Sequence, residues 1–416
     1  MASEAHIHVP ADSAVAELFT ELLRRVHLTA PDELPTVIGE QAGLIGARDL
    51  ALYVADYEQG MLMPLTGSSD VVREPLSVAG TVAGRAFATT TILRVAGAAR
   101  GVDRLWIPLI DGTERVGAMG LSFEEGTISQ RLVEICERFA HLVAMLTMTK
   151  GHYGDLLETT RRAKEMTLAS ELLWSLAPPL VCATDSVALA GMLEPSYDNG
   201  GDALDYAVDG RVLHLALFDA MGHGLAAAGV AAFAVAAYRH SRRKESNLLE
   251  TYTAMDDAVG TQFPDRRFVT ALIAELDLDS GQLTWISAGH PPPLLIRGGR
   301  RALPLEVTPA PPLGIEIAHA PPTVSTESLE PGDLLLLYTD GLTEARAADG
   351  QMLRTEGLAN FVEREASAGQ TAPETLRRLR LAILSSPRAR LRDDASALLL
   401  EWRRGGELKL MPQTVL

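Results

Sequence analysis

Four acidic landmarks lie far apart in the sequence and share one design. Asp202 closes Gly200-Gly201-Asp202, Asp219 opens Asp219-Ala-Met-Gly-His-Gly224, and Asp340 sits in Tyr338-Thr-Asp-Gly341. Asp393 and Asp394 form a pair. Each is expected at a strand end or strand turn beside small residues. Glycine lets the backbone approach a ligand closely. Carboxylates supply hard oxygen donors, which select Mg²⁺ or Mn²⁺ over zinc or copper. Carboxylates that converge without compensating Lys or Arg repel one another unless divalent cations stand between them. A single Asp-Gly is more often a turn, so the weight lies in the set. The expectation is a fold that gathers these residues around metal ions, with Asp219 at the centre.

The composition sets outer bounds. At 416 residues the chain is too long for one ordinary core. Its 47% hydrophobic and 22% charged content is that of a globular protein. A formal net charge of −17 argues against nucleic-acid binding, which needs clustered Lys and Arg. The two cysteines, Cys136 and Cys182, stand alone in apolar surroundings, so neither a disulfide framework nor a cysteine zinc site is expected. The start Met1-Ala-Ser-Glu-Ala-His lacks the basic and apolar regions of a signal peptide. The weakly polar run from Gly224 to Tyr238 is shorter than the roughly 20 residues of a membrane span. A cytoplasmic protein without a membrane partner is the expectation.

The acidic set needs a scaffold. The apolar run Val212 to Phe218 reads as a buried strand leading to Asp219, and the small-residue segment Leu225 to Tyr238 reads as a tightly packed helix. Further strands are expected at 187–190, 204–208, 268–276, 283–287, 292–296, 333–339 and 395–401. Turn signals such as Asp209-Gly210 imply antiparallel pairing. Helices near 224–240, 246–260, 355–366 and 372–385 must cover the sheet faces. An α+β fold follows, in which antiparallel sheets are flanked by helices.

The first 149 residues read as a separate unit: helices over 13–28 and 33–44, a hairpin of 50–56 with 61–65, a second hairpin of 105–110 with 116–123 around Asp111-Gly112, and a long helix over 127–148. Leu76-Ser-Val-Ala-Gly-Thr-Val-Ala-Gly-Arg-Ala-Phe87, Trp106-Ile-Pro-Leu109 and Gly117-Ala-Met-Gly-Leu121 carry a resemblance to a GAF domain, a small-molecule and redox sensory fold. The resemblance implies either a small ligand or a ligand-free dimerisation role. Residues 66–104 contain no Cys or His, which speaks against haem or metal sensing there. Met166, Ala169, Leu173 and Leu176 recur at three-to-four spacing, so residues 150–179 are expected to form a linker helix ended by Pro178-Pro179. That segment reads equally as a signalling helix and as the first helix of the second domain.

Residues from about 170 to 402 resemble the SpoIIE-like branch of the metal-dependent type 2C serine/threonine phosphatases. The matching pieces are Gly200-Gly201-Asp202 with Asp205, Asp219 to Ala227, Phe268-Val-Thr270, Ser287-Ala-Gly-His-Pro-Pro-Pro293 and Pro312-Leu-Gly314. Pro331-Gly-Asp333, Tyr338-Thr-Asp-Gly-Leu-Thr-Glu344 and Arg392-Asp-Asp-Ala-Ser396 follow in the family's order. The resemblance implies an αββα sandwich over 180–404, followed by a tail at 405–416. It implies two Mn²⁺ or Mg²⁺ ions, with Asp219 bridging them, the Ala220 carbonyl adding a ligand, Asp340 and Asp393 holding one metal, and Asp202 in the outer shell or on the second metal. Asp205, His223 and Asp394 are expected around these ligands, and His290 in a structural turn. The general acid is not identified, because Met221 occupies the position where the eukaryotic relatives carry a histidine.

The departures concern substrate fit: Ala203-Leu204 replaces the usual aromatic, and Gly350-Gln-Met-Leu-Arg354 lacks Phe-Gly. By the same resemblance the substrate is a phosphorylated STAS-domain anti-sigma-factor antagonist and the protein is a homodimer. A degenerate phosphatase fold used for docking, and hydrolysis of a small phosphoester, are the competing expectations.

Overall fold

Strands buried on both faces organise the chain, and helices cover what the strands leave open. The computed structural model describes residues 11–67, 71–96, 101–265, 267–298, 303–315, 322–346, 351–384, 391, 393–402 and 410. The expected tail at 405–416 lies outside them apart from residue 410. The chain divides between Lys164 and Glu165 into two units.

The first unit contains α1 (Asp12–Val26), α2 (Leu34–Ala42), β1 (Asp49–Ala55), β2 (Met61–Pro64), β3 (Leu76–Ser77), α3 (Val82–Thr89), β4 (Leu93–Ala96), β5 (Val102–Asp111), β6 (Glu114–Glu124), α4 (Gln130–Gly151) and α5 (Leu156–Arg161). Its sheet runs β3-β2-β1-β6-β5-β4, antiparallel throughout. Alternation along β1 sends Leu52 and Val54 into the core under α1, α2 and α4. Ala51, Tyr53 and Ala55 go to the opposite face with Phe87 and Trp106. Gly120 is required there, since a Cβ would lie 2.9 Å from the Trp106 ring. Both expected hairpins form, the second around Gly112 at φ 60°. Helix α3 escaped the periodicity reading because it is short; Thr81 caps it by accepting a hydrogen bond from Gly84 N at 3.0 Å. A cavity of about 220 Å³ opens between α2 and β1, lined by Gly39, Leu50, Leu52 and Leu65 with Arg48, Asp49 and Arg73 at its rim.

The expected single linker helix over 150–179 does not form. Helix α4 stops at Gly151, α5 ends at Arg161, and a new helix, α6 (Leu168–Leu176), starts only after Thr167. Thr167 is extended and accepts a hydrogen bond from Ser170 N, so it ends the preceding segment and caps the next. Met166 therefore falls outside the helix whose seam it was expected to join.

The second unit continues with β7 (Val181–Ala183), β8 (Val187–Glu194), β9 (Asp202–Asp209), β10 (Val212–Ala220), α7 (Leu225–Arg242), α8 (Leu248–Gln262), β11 (Val269–Asp277), β12 (Gln282–Ala288), β13 (Leu294–Ile296), β14 (Leu303–Pro304), β15 (Ser325–Ser328), β16 (Leu334–Tyr338), α9 (Asp340–Glu344), α10 (Arg354–Ser367), α11 (Ala372–Leu384) and β17 (Ala395–Trp402). Among the described residues they form two antiparallel sheets, β15-β12-β11-β10-β9 and β14-β13-β16-β17-β8-β7. Leu215, Leu217, Leu272, Trp285, Leu398, Leu400 and Trp402 fill the space between the sheets. Burial of such side chains stabilises the fold by about 1.5–3 kcal/mol each. Helices α7 and α8 cover the outer face of the first sheet through Ala231, Val235 and Met255, while α10 and α11 cover the second through Val362 and Leu379. This is the expected αββα arrangement. No helix among the described residues is long and apolar enough to cross a membrane.

Candidate metal centre

Strand parity decides which acidic residues can meet. On β10, Leu213, Leu215 and Leu217 face the space between the sheets, and Asp219 follows two residues later on the same face. Its register partner on β9 is Asp202, which shares a face with Leu204. Two carboxylates directly opposite each other on neighbouring strands are unfavourable unless something compensates their charge. Both stand where the inter-sheet core ends.

The second sheet delivers the rest. Strand β16 ends at Tyr338 and passes through Thr339 into α9, whose first residue is Asp340, so Asp340 opens a short helix rather than closing a strand. Thr339 N donates to Ser396 O at 3.0 Å, which ties this turn to the start of β17 just after Asp393-Asp394. Gly341 is obligatory, because a Cβ there would lie 1.9 Å from the Asp394 carbonyl oxygen. Gly201 plays a similar part beside Ala220: its Cβ would be 2.9 Å from the Ala220 carbonyl oxygen, and Ala220 N donates to Gly201 O at 3.1 Å.

The electrostatics follow from this crowding. Burial and then the charges of Asp340, Asp393 and Asp394 push Asp219 up to about 7. Asp202 is 1% exposed, and burial, Asp219 and Asp394 raise it far above the usual carboxylate range, against the hydrogen bond from Thr339. Burial also raises Asp340, helped by Asp393 and Glu344. Every charged group acting on Asp219 is another carboxylate, a donor set of the hard-oxygen kind that suits divalent cations. Among the described residues, no three His, Cys, Asp or Glu side chains form a ready-made metal cage. The carboxylates feel one another's charge without closing on a point.

Asp394 and Asp205 have other employment. Asp394 Oδ2 accepts hydrogen bonds from Gly200 N at 2.9 Å, Gly201 N at 2.6 Å and Asp202 N at 3.4 Å, so it pins the Gly-Gly-Asp turn. Asp205 does not belong to the cluster, contrary to the sequence expectation. It stands three residues from Asp202 on a strand, hence on the opposite face. There it is 1% exposed and accepts from Arg239 Nη2 at 2.7 Å and Arg242 Nη1 at 2.9 Å.

The histidines divide as well. His223 is exposed on the loop between β10 and α7, where Gly222 and Gly224 both have positive φ. His290 is buried; its Nδ1 lies 2.9 Å from Thr270 Oγ1, and its backbone oxygen accepts from Ser287 Oγ at 2.6 Å. Burial drives it down to about 3, against the Tyr338 backbone, so the ring is neutral at neutral pH. Gly289, at φ 66°, packs so closely that a Cβ would lie 2.6 Å from Pro312 Cγ. The Ala-Gly-His-Pro and Pro-Leu-Gly segments are thus scaffold.

Sequence reasoning passed over Thr339 and Asn199. Thr339 Oγ1 donates to Asp202 Oδ2 at 2.8 Å and accepts from Ser396 N at 2.8 Å, joining the two sheets at the cluster. Its signal in the sequence is its place directly before Asp340 in Tyr338-Thr-Asp-Gly341.

A family model described as Stage II sporulation protein E (SpoIIE) matches residues 209–403. The chain is 22% identical over 239 residues to phosphoserine phosphatase RsbU of Bacillus subtilis (strain 168), a match that covers 57% of this chain and 69% of that protein. It is 26% identical over 179 residues to phosphoserine phosphatase RsbP of the same organism, covering 42% of this chain and 43% of that one. A solved structure of the RsbU and RsbW domains of Rv1364c from Mycobacterium tuberculosis is 30% identical, with a TM-score of 0.47, and the match covers 53% of this chain and 62% of that chain. The chain therefore spans less than two thirds of the length of the second and third of these relatives.

Proposed function

We propose that the SpoIIE-type domain matched over residues 209–403 is a metal-dependent protein phosphatase acting on phosphoserine or phosphothreonine. The observation that carries this reading is the convergence of Asp340, Asp393 and Asp394 on Asp219, where burial and these charges push its carboxyl up to about 7. Such a donor set fits hard divalent cations. Asp219 and the Ala220 carbonyl, with Asp340 and Asp393, are the residues that hold two Mn²⁺ or Mg²⁺ ions, and Asp202 supports them from its buried position. When bound, the ions lower the pKa of water to near neutrality and neutralise charge on the phosphoryl oxygens.

The chain's own residues supply the rest. Asp219 stands at a strand end fixed on both sides by β9 and β11, which costs no reorganisation when substrate arrives. Thr339 donates to Asp202 and so keeps that carboxylate turned toward the cluster. His290 is buried and neutral, with Nδ1 2.9 Å from Thr270 Oγ1, which argues against an imidazolium proton donor to the leaving serine or threonine oxygen at this position. The protein substrate we favour is a phosphorylated STAS-domain anti-sigma-factor antagonist, on the strength of the likeness to RsbU. We assign the first unit, a GAF-like α+β domain, a regulatory role through ligand binding or dimerisation.

The experiment is release of phosphate from such a phosphoprotein by the full chain, with and without Mn²⁺. Metal-dependent release supports the reading. No release at millimolar Mn²⁺, from protein or small phosphoester, overturns it.

A further inference from the structure

Gly200 and Gly201 precede β9 and Asp202 is its first residue, so the strand ladder holds this turn from one end only. Two side chains grip this turn. From one side, Asp394 accepts the Gly200, Gly201 and Asp202 amides. From the other, Asn199, fully buried, uses Oδ1 to accept from Gly201 N at 3.3 Å and Asp202 N at 3.2 Å, and Nδ2 to donate to Asp202 O at 3.1 Å. Asn199 is itself bonded to a helix. Its backbone N donates to Ser170 Oγ at 2.6 Å, and Ser170 Oγ donates to Asn199 O at 3.2 Å.

Ser170 belongs to one face of α6. Thr167 N donates to Tyr197 O at 2.9 Å, and Trp174 Nε1 donates to Ser196 O at 2.7 Å. Residues 167, 170 and 174 are spaced three and four apart, which is the spacing of one helical face. That face therefore binds the segment 196–199 at three points, and the segment in turn fixes the metal-site turn. Both Ser170 and Asn199 are sealed from water, so no solvent molecule can replace a lost partner without opening the site.

We propose that Asn199 is a positioning residue for Asp202, and that α6 sets its place through Ser170. The functional consequence rests on the metal-centre reading; the positional claim does not. In the metal-free full chain, Ser170→Ala and, more strongly, Asn199→Ala increase amide hydrogen exchange at Gly201 and Asp202 by about tenfold or more. Leu215 and Leu272, in the centre of the sheet, keep their protection and report that the unit is still folded. In calorimetry the same variants bind Mn²⁺ about tenfold more weakly, the size expected when a group supporting a ligand is removed.

Exchange at Gly201 and Asp202 within twofold of the wild type in Ser170→Ala, with the sheet intact, overturns the proposal. So does faster exchange spread equally over Leu215 and Leu272, which marks Ser170 as a general stabiliser. If the exchange responds as stated while the wild type binds no Mn²⁺, the metal reading fails and the positional claim stands.

Discussion

Replacing Asp205 by alanine separates the two acidic classes that the sequence leaves mixed. The carboxylate is 1% exposed and accepts three charge-assisted hydrogen bonds, from Arg239 Nε at 3.1 Å, Arg239 Nη2 at 2.7 Å and Arg242 Nη1 at 2.9 Å. Removing one member of a buried ion pair costs about 3–5 kcal/mol, because the surviving charge is stranded. Here the guanidinium groups retain some relief. The Arg239 and Arg242 side chains are 23% and 10% exposed, and Arg239 keeps its bond to Leu176 O at 2.6 Å. That argues for a loss at or just below the lower end of that range, about 2–3 kcal/mol.

Urea unfolding followed by tryptophan fluorescence reads this directly, since Trp174, Trp285 and Trp402 all lie in the second unit. The expected result is a lower midpoint at unchanged slope. The loss should persist at high salt, because the pair is shielded from counterions. Mn²⁺ affinity of the folded variant should match the wild type. A change under about 0.5 kcal/mol, or weakened Mn²⁺ binding at full stability, refutes the assignment of Asp205 to the scaffold.

Two further predictions follow from geometry and from burial. Gly341→Ala places a Cβ 1.9 Å from the Asp394 carbonyl oxygen; the backbone must move, and calorimetry should show Mn²⁺ binding lost together with about 2–3 kcal/mol of stability in urea. His290 is held at about 3, below its ordinary 6.5, by burial. A depressed folded-state value means the stability is present above pH 6.5 and is lost as the pH falls toward 3, by up to about 1.4 kcal/mol per pH unit. Urea midpoints measured between pH 7.5 and 4.5 should therefore fall more steeply in the wild type than in His290→Gln, and parallel curves would contradict this.

Much of the second unit was legible because its strands are long and apolar. The runs at 212–218 and 395–401 correspond to β10 and β17 with small changes at the ends. Elements that escaped notice are short or polar: β7 has three residues, β15 reads Ser-Thr-Glu-Ser, and α9 has five residues and begins with Asp340 itself. The acidic set was legible as a set, yet spacing alone could not assign roles within it. Asp202 and Asp205 look equivalent in sequence, but strand parity sends one to the cluster and the other to Arg239 and Arg242. The linker expectation failed for a similar reason. Four apolar residues at helical spacing outweighed Thr167, whose capping side chain starts a new helix inside the pattern.

The central claim is that the cluster around Asp219 exists to hold divalent cations. Calorimetric titration of the wild-type chain and of Asp219→Asn with Mn²⁺ at neutral pH tests it most directly. Saturable binding to the wild type that is lost in the variant is expected, with the variant's stability in the absence of metal equal to or above that of the wild type, since one of several repelling carboxylates is gone. No binding to the wild type at millimolar Mn²⁺, or undiminished binding to Asp219→Asn, contradicts it.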